Sequence, residues 1–198
     1  MSRKFIFVPV LIGAFTLSGL AHSQTETAPP PAPAATPPVP AAPETTPAKT
    51  MTDPQIVGVL ETANEAEIDQ AKAAKRITKS KPIRDFAEMM KLAHKQAQED
   101  LKRFTKKVKM KPGNSDTKSE IKKMSSESLK KLNRISGKEF DREYIADQVA
   151  MHQGLLEQID TTLLPNAQDP TLKDLLNKFR TAVSTHLEKA KTIQNTIG

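Results

Sequence analysis

From Thr52 to the C-terminus apolar residues return every three or four positions, and that spacing confines this stretch of chain to helices. A helix turns once in 3.6 residues, so the pattern gathers apolar side chains into a stripe that has to be buried. Strand signals are missing: the chain has no Trp, one Tyr and no run of alternating β-branched residues. Breakers divide the stretch into five predicted helices. Asp53 as cap and Pro54 at the first helical position open one over about 54–78. Ser80-Lys81-Pro82 starts a second, about 83–108, which Pro112-Gly113-Asn114 ends. A shorter, polar helix covers about 117–133. Ser136 and Glu139 form a capping box for a fourth, about 138–164, stopped by Pro165. Asp169-Pro170 repeats the cap-plus-proline signature and opens the last, about 171–197.

Four of these helices are about 25 residues long, or about 38 Å at the usual rise. Short connections make neighbours antiparallel, so the expected fold is all-α: a four-helix bundle with the short polar helix in its one long connection, folded across the base. The stripes agree. Ile56, Leu60, Ala63, Ala71 and Ala74 mark the first helix, and Ala87, Met90, Ala97, Leu101 and Phe104 the second. Ile145, Val149, Leu156 and Ile159 mark the fourth, and Leu172, Leu176, Phe179, Val183, Ala190 and Ile193 the last.

Each long helix carries one polar residue where its stripe should be apolar. Glu67 lies midway between Ala63 and Ala71, His94 between Met90 and Ala97, His152 between Val149 and Leu156, and His186 between Val183 and Ala190. Counted from a common base, these four stand at depths of about 20, 21, 20 and 17 Å, within one helical turn of each other. Three imidazoles and a carboxylate at one level form a donor set for a single divalent transition metal. The first reading of the same residues is a hydrogen-bonded polar layer, the histidines paired with Glu67, backbone or water, that sets helix register; the metal site is its alternative. A di-iron site is disfavoured, because its paired Glu-x-x-His motif is absent: Lys91, Val149 and Val183 stand three residues before the histidines.

The N-terminal quarter is different material. Arg3 and Lys4, the apolar run from Phe5 to Leu20 and the small residues of Ala21-His22-Ser23 read as a secretory leader cleaved after Ser23. Residues 24–51 hold nine prolines among Ala and Thr, a composition for an extended, disordered spacer ahead of a helical domain over 52–198. The exported chain would be periplasmic or secreted and would have no membrane-spanning segment. Removing Arg3 and Lys4, with no acid in the leader, lowers the formal charge from +7 to +5. Cysteine is absent, which excludes disulfides, thiolate chemistry and lipoprotein processing. No Gly-x-Ser-x-Gly elbow or phosphate-binding glycine loop occurs, so no catalytic residue is named and an enzyme is disfavoured. Lys102, Arg103, Lys106, Lys107, Lys109 and Lys111 form a basic run that reads as a solvated face suited to a helix C-terminus; without neighbouring aromatics it argues against nucleic acid, and cell-envelope components are the alternative partner.

On particular residues the chain resembles the bacterial family called domain of unknown function 4142. They are Ala63-Asn64-Glu65-Ala66-Glu67, then Ile83-Arg84-Asp85-Phe86-Ala87-Glu88-Met89-Met90 leading to His94, then Ser136 to Tyr144 with Gln148 and His152, and finally His186-Leu187. The resemblance implies export, a ferritin-like helical bundle and a histidine in each of three helices. It also singles out Asp141 and Tyr144, without giving them a role. One departure is Ala93, where the family commonly has Asp before the second-helix histidine. The resemblance implies no activity. The expectation is an exported structural or envelope-stress protein, or a bundle that binds a single metal through Glu67, His94, His152 and His186; its oligomeric state is open.

Overall fold

The computed structural model describes residues 50–197, and the leader and all but the last two spacer residues lie outside them. The described residues are all-α, with no strand. The helices are α1 (Asp53–Ile77), α2 (Lys81–Val108), α3 (Asp116–Leu132), α4 (Gly137–Gln158) and α5 (Pro170–Ile197). Among the described residues no helix is long and apolar enough to cross a membrane.

Helix ends follow local chemistry, with three departures from expectation. Thr52, not Asp53, is the N-cap of α1, and its N–H donates to the Gln55 side chain at 3.0 Å. The Asp53 carboxylate instead accepts the backbone N–H groups of Gln168 and Asp169, at 2.8 and 2.9 Å, and so ties the start of α1 to the loop before α5. Asp169 does cap α5, accepting from the Thr171 and Leu172 N–H groups. Ser136 is the N-cap of α4 but makes no side-chain capping bond. Pro165 does not stop the fourth helix. A π-helical turn, Ile159–Leu163, precedes it and a last α-turn, Leu164–Asn166, contains it. Widening the turn makes room for a ring that would otherwise meet the carbonyl four residues back. Met51, inside the expected spacer, is buried in the core and its N–H donates to Asn166 Oδ1 at 3.1 Å.

Contacts at the ends establish the path of the chain. Gly113 N–H donates to Pro54 O at 2.6 Å, so α2 returns to the start of α1. Next, α3 rises along α1, linked at Gln70–Ser128 and Arg76–Asn133. At the far end Thr78 donates to Asp141 as α4 begins its descent, and α5 climbs back until Arg142 meets Ile197 O. The short helix therefore runs lengthwise instead of across the base, and α4 points the same way as α2. Because α3 covers its outer side, α1 is buried on nearly every face: Val57, Val59, Ala66, Ile68 and Ala73, all outside the predicted stripe, are in the interior. The loop before α3 lies so close to α1 that a Cβ on Gly58 would stand 2.0 Å from Gly113 O.

The core has two parts. One contains Leu60, Leu101, Phe104, Ile159, Leu172 and Leu176; the other contains Ala74, Phe86, Met90, Phe140, Ile145 and Ala190. On all four long helices the residues between these clusters are Glu67, His94, His152 and His186.

Candidate metal centre

The four residues that interrupt the stripes are all buried, with 1–7 % of their surface exposed. Their helices bring three of them together. The ring centroids lie 6.0 Å apart for His94 and His152, 5.3 Å for His94 and His186, and 5.5 Å for His152 and His186. One ring nitrogen from each falls within 4.8 Å of the other two.

Neighbouring groups decide which nitrogens are free. His152 Nδ1 lies 2.8 Å from the Gln148 carbonyl oxygen. That oxygen can only accept, so Nδ1 carries the proton and Nε2 presents a lone pair. His94 Nδ1 faces Asn64 Oδ1 at 2.9 Å, which again leaves Nε2 as the lone-pair atom. His94 Nε2, His152 Nε2 and His186 Nδ1 are buried without any hydrogen-bond partner. Outer groups that hold the tautomer and leave the inner nitrogens bare are the usual support of metal-ligating histidines.

Electrostatics keep two of the rings neutral. Burial first, then the neighbouring His152 and His186, lower the His94 pKa to about 3. Burial, His152 and Lys189 lower that of His186 to about 4. At neutral pH both rings are deprotonated, the form that ligates a metal.

Glu67 is not in this set. Its Oε1 lies 3.7 Å from His152 Nδ1, on the proton-bearing side of the ring, and its Oε2 accepts from Gln148 Nε2 at 2.9 Å. Burial raises its pKa, against the opposing pull of His152 and Gln148. Gln148 Nε2 also donates to Gln70 Oε1 at 3.0 Å, Gln70 Nε2 to Ser128, and Ser128 to Asp147 at 2.6 Å. A polar chain thus runs from a half-buried carboxylate to the histidine layer.

Asn64, Gln70 and Gln148 carry this outer support, and the sequence reading assigned none of them a role. A signal was available: they stand three or four residues from Glu67 or His152, on neighbouring turns of the same helices. Asp141 and Tyr144 lie away from the three histidines. Asp141 accepts from Thr78 and joins α4 to the end of α1. Tyr144 is fully buried, stacked on Phe140 with centroids 6.0 Å apart and edge-on to Phe86 at 6.2 Å; its hydroxyl has no partner. Desolvation, with the nearby Glu67 charge, holds its pKa well above the usual value. Ala93 lines a small apolar cavity of about 40 Å³ beside His94 and His186.

The family described as Domain of unknown function (DUF4142) matches residues 37–193. The chain belongs to this family. No curated protein matches it. Among solved structures it is similar to a DUF305 protein from Streptomyces coelicolor, with a TM-score of 0.62 at 11 % identity, over 73 % of this chain and 92 % of that one. At that identity the likeness concerns the fold alone.

Proposed function

We propose that this member of the DUF4142 family is an exported protein whose ferritin-like four-helix bundle binds one divalent transition-metal ion through His94, His152 and His186. The observation that carries the reading is three buried histidines, each with one ring nitrogen that has no hydrogen-bond partner and each bringing a ring nitrogen within 4.8 Å of the other two. Leaving a buried polar group unbonded costs about 1–3 kcal/mol. The chain itself offers these three atoms no hydrogen bond, which leaves their lone pairs free to ligate. Tetrahedral coordination at about 2.0–2.1 Å asks for nitrogens roughly 3.3 Å apart, so an ion would draw the three rings together from the separation of up to 4.8 Å seen here.

Three neutral imidazoles suit zinc, iron, copper or manganese better than calcium or magnesium, which prefer oxygen. Glu67 acts as an outer partner of His152 and offsets the ion's charge without ligating it. The adjoining 40 Å³ cavity holds a few waters at most, which favours holding an ion over turning over a substrate. Export rests on the leader over residues 1–23 and the proline-rich spacer behind it, and puts the site in the periplasm or outside the cell.

The test is elemental analysis of the exported chain, purified without a histidine tag, beside the His94→Ala/His152→Ala double variant. About one equivalent of metal is expected in the first and none in the second. Free metal at a hundred times its Kd is expected to stabilise the wild-type chain by about 2.7 kcal/mol, an effect that a chelator removes. If no metal copurifies and no added transition metal shifts the melting temperature, the proposal fails.

A further inference from the structure

Beside the histidine layer α3 leaves an opening. It packs along α1 but meets α4 chiefly at Ser128–Asp147 and Lys131–Glu143. Between α3 and α4, over α1, lies a groove of about 480 Å³. That volume falls within the range of sites that bury small organic molecules.

The walls are mainly apolar, with Ala63, Ile121, Met124, Ala150, Met151 and Leu155 among them. Met124, 64 % exposed, is one of two large hydrophobic residues left open among the described residues. Gly154 lines the α4 side, where a Cβ would meet nothing within 4 Å, so space is free down to the backbone.

The polar groups are mostly of one sign. Glu127 and Asp147 line the groove, with the buried Glu67 turned to Gln148 at its floor, against a single cation, Lys131, which is already paired with Glu143. Burial raises the Asp147 pKa, the response of a carboxylate that lacks sufficient compensation. An apolar trough with surplus negative charge complements an apolar molecule that carries a positive one.

We infer that this groove binds an amphiphilic organic cation, an amine on an apolar body of roughly ten to fifteen non-hydrogen atoms. The apolar body lies along Ile121, Met124, Ala150 and Leu155, and the ammonium faces Asp147 and Glu127. The Ser125 hydroxyl offers a further acceptor for its protons.

The experiment is calorimetric titration of the exported chain, stripped of metal by chelator, with 4-phenylbutylamine and with its neutral counterpart 4-phenylbutan-1-ol. The amine is expected to bind at least about tenfold more tightly, which corresponds to about 1.4 kcal/mol. In the Glu127→Gln/Asp147→Asn variant that preference is expected to vanish while weak binding of both compounds persists. Gly154→Leu, which fills the trough from an exposed helix position, is expected to abolish both while the melting curve stays cooperative. Equal affinity for the two compounds, no binding of either up to millimolar concentration, or a Gly154→Leu variant that binds the amine normally overturns the proposal. So does a self-associated chain that Gly154→Leu dissociates and the amine does not, since the groove would then belong to a second copy. All arms are run without metal, so failure of the histidine site leaves this outcome unaffected.

Discussion

The metal-free domain is expected to lose about 2–4 kcal/mol of stability between pH 7.5 and pH 5.0. The cause is His94 and His186, whose folded pKa values are lowered to about 3 and about 4, while in the unfolded chain both return to 6.5. As pH falls through 6.5, the unfolded chain takes up two protons that the folded chain refuses. Stability is therefore complete above pH 6.5 and drains away as pH falls towards the folded values. Glu67 works the other way, because its raised pKa lets the folded state take a proton first. Net uptake on unfolding then lies between one and two protons. Most surface carboxylates stay ionised in this window, so their loss does not mimic the effect. Urea midpoints at half-unit pH steps, with chelator present, measure the slope directly. A midpoint constant from pH 7.5 to 5.0 would contradict neutral, buried rings.

Gly58→Ala should lower stability by about 2 kcal/mol, although alanine is the better helix former by about 1 kcal/mol. The added Cβ would stand 2.0 Å from Gly113 O, and the obstacle is backbone that cannot rotate aside. Relief requires moving the loop that holds Gly113 N–H on Pro54 O, which opens the contact between α1 and the approach to α3. Gly154→Ala is the matched control: it carries the same propensity gain, but nothing lies within 4 Å of the new atom. It is expected to stabilise by up to about 1 kcal/mol. For a domain of this size the pair should melt about 6–12 °C apart, with Gly58→Ala the lower. Thermal unfolding of both variants beside the parent checks it, and a Gly58→Ala protein that melts with or above the parent would refute the close approach.

Much of this was legible in the sequence because helices announce themselves locally. The 3.6-residue period, the proline and glycine breakers and the Asp169 cap act within a few positions of themselves, so helix number and extent followed from short-range rules. The level of the histidine layer followed as well, since rise per residue is constant and His152 and His186 sit near mid-helix. That robustness kept the layer together even though α4 and α5 run opposite to the expected direction.

What the sequence by itself determined, then, was the all-α class, the helix segments and the convergence of His94, His152 and His186 on one level. Tertiary structure alone decided that α3 lies along α1, which buried a second face of α1 and opened the groove against α4. It also decided that Glu67 turns towards the proton-bearing side of His152 and the Gln148 amide, away from the three bare nitrogens. The physical reason is the same in each case. A local period says which residues must be covered, but not which element covers them, nor which atom of a ring or carboxylate faces its neighbour. Those follow from packing and hydrogen bonds between residues far apart in the chain.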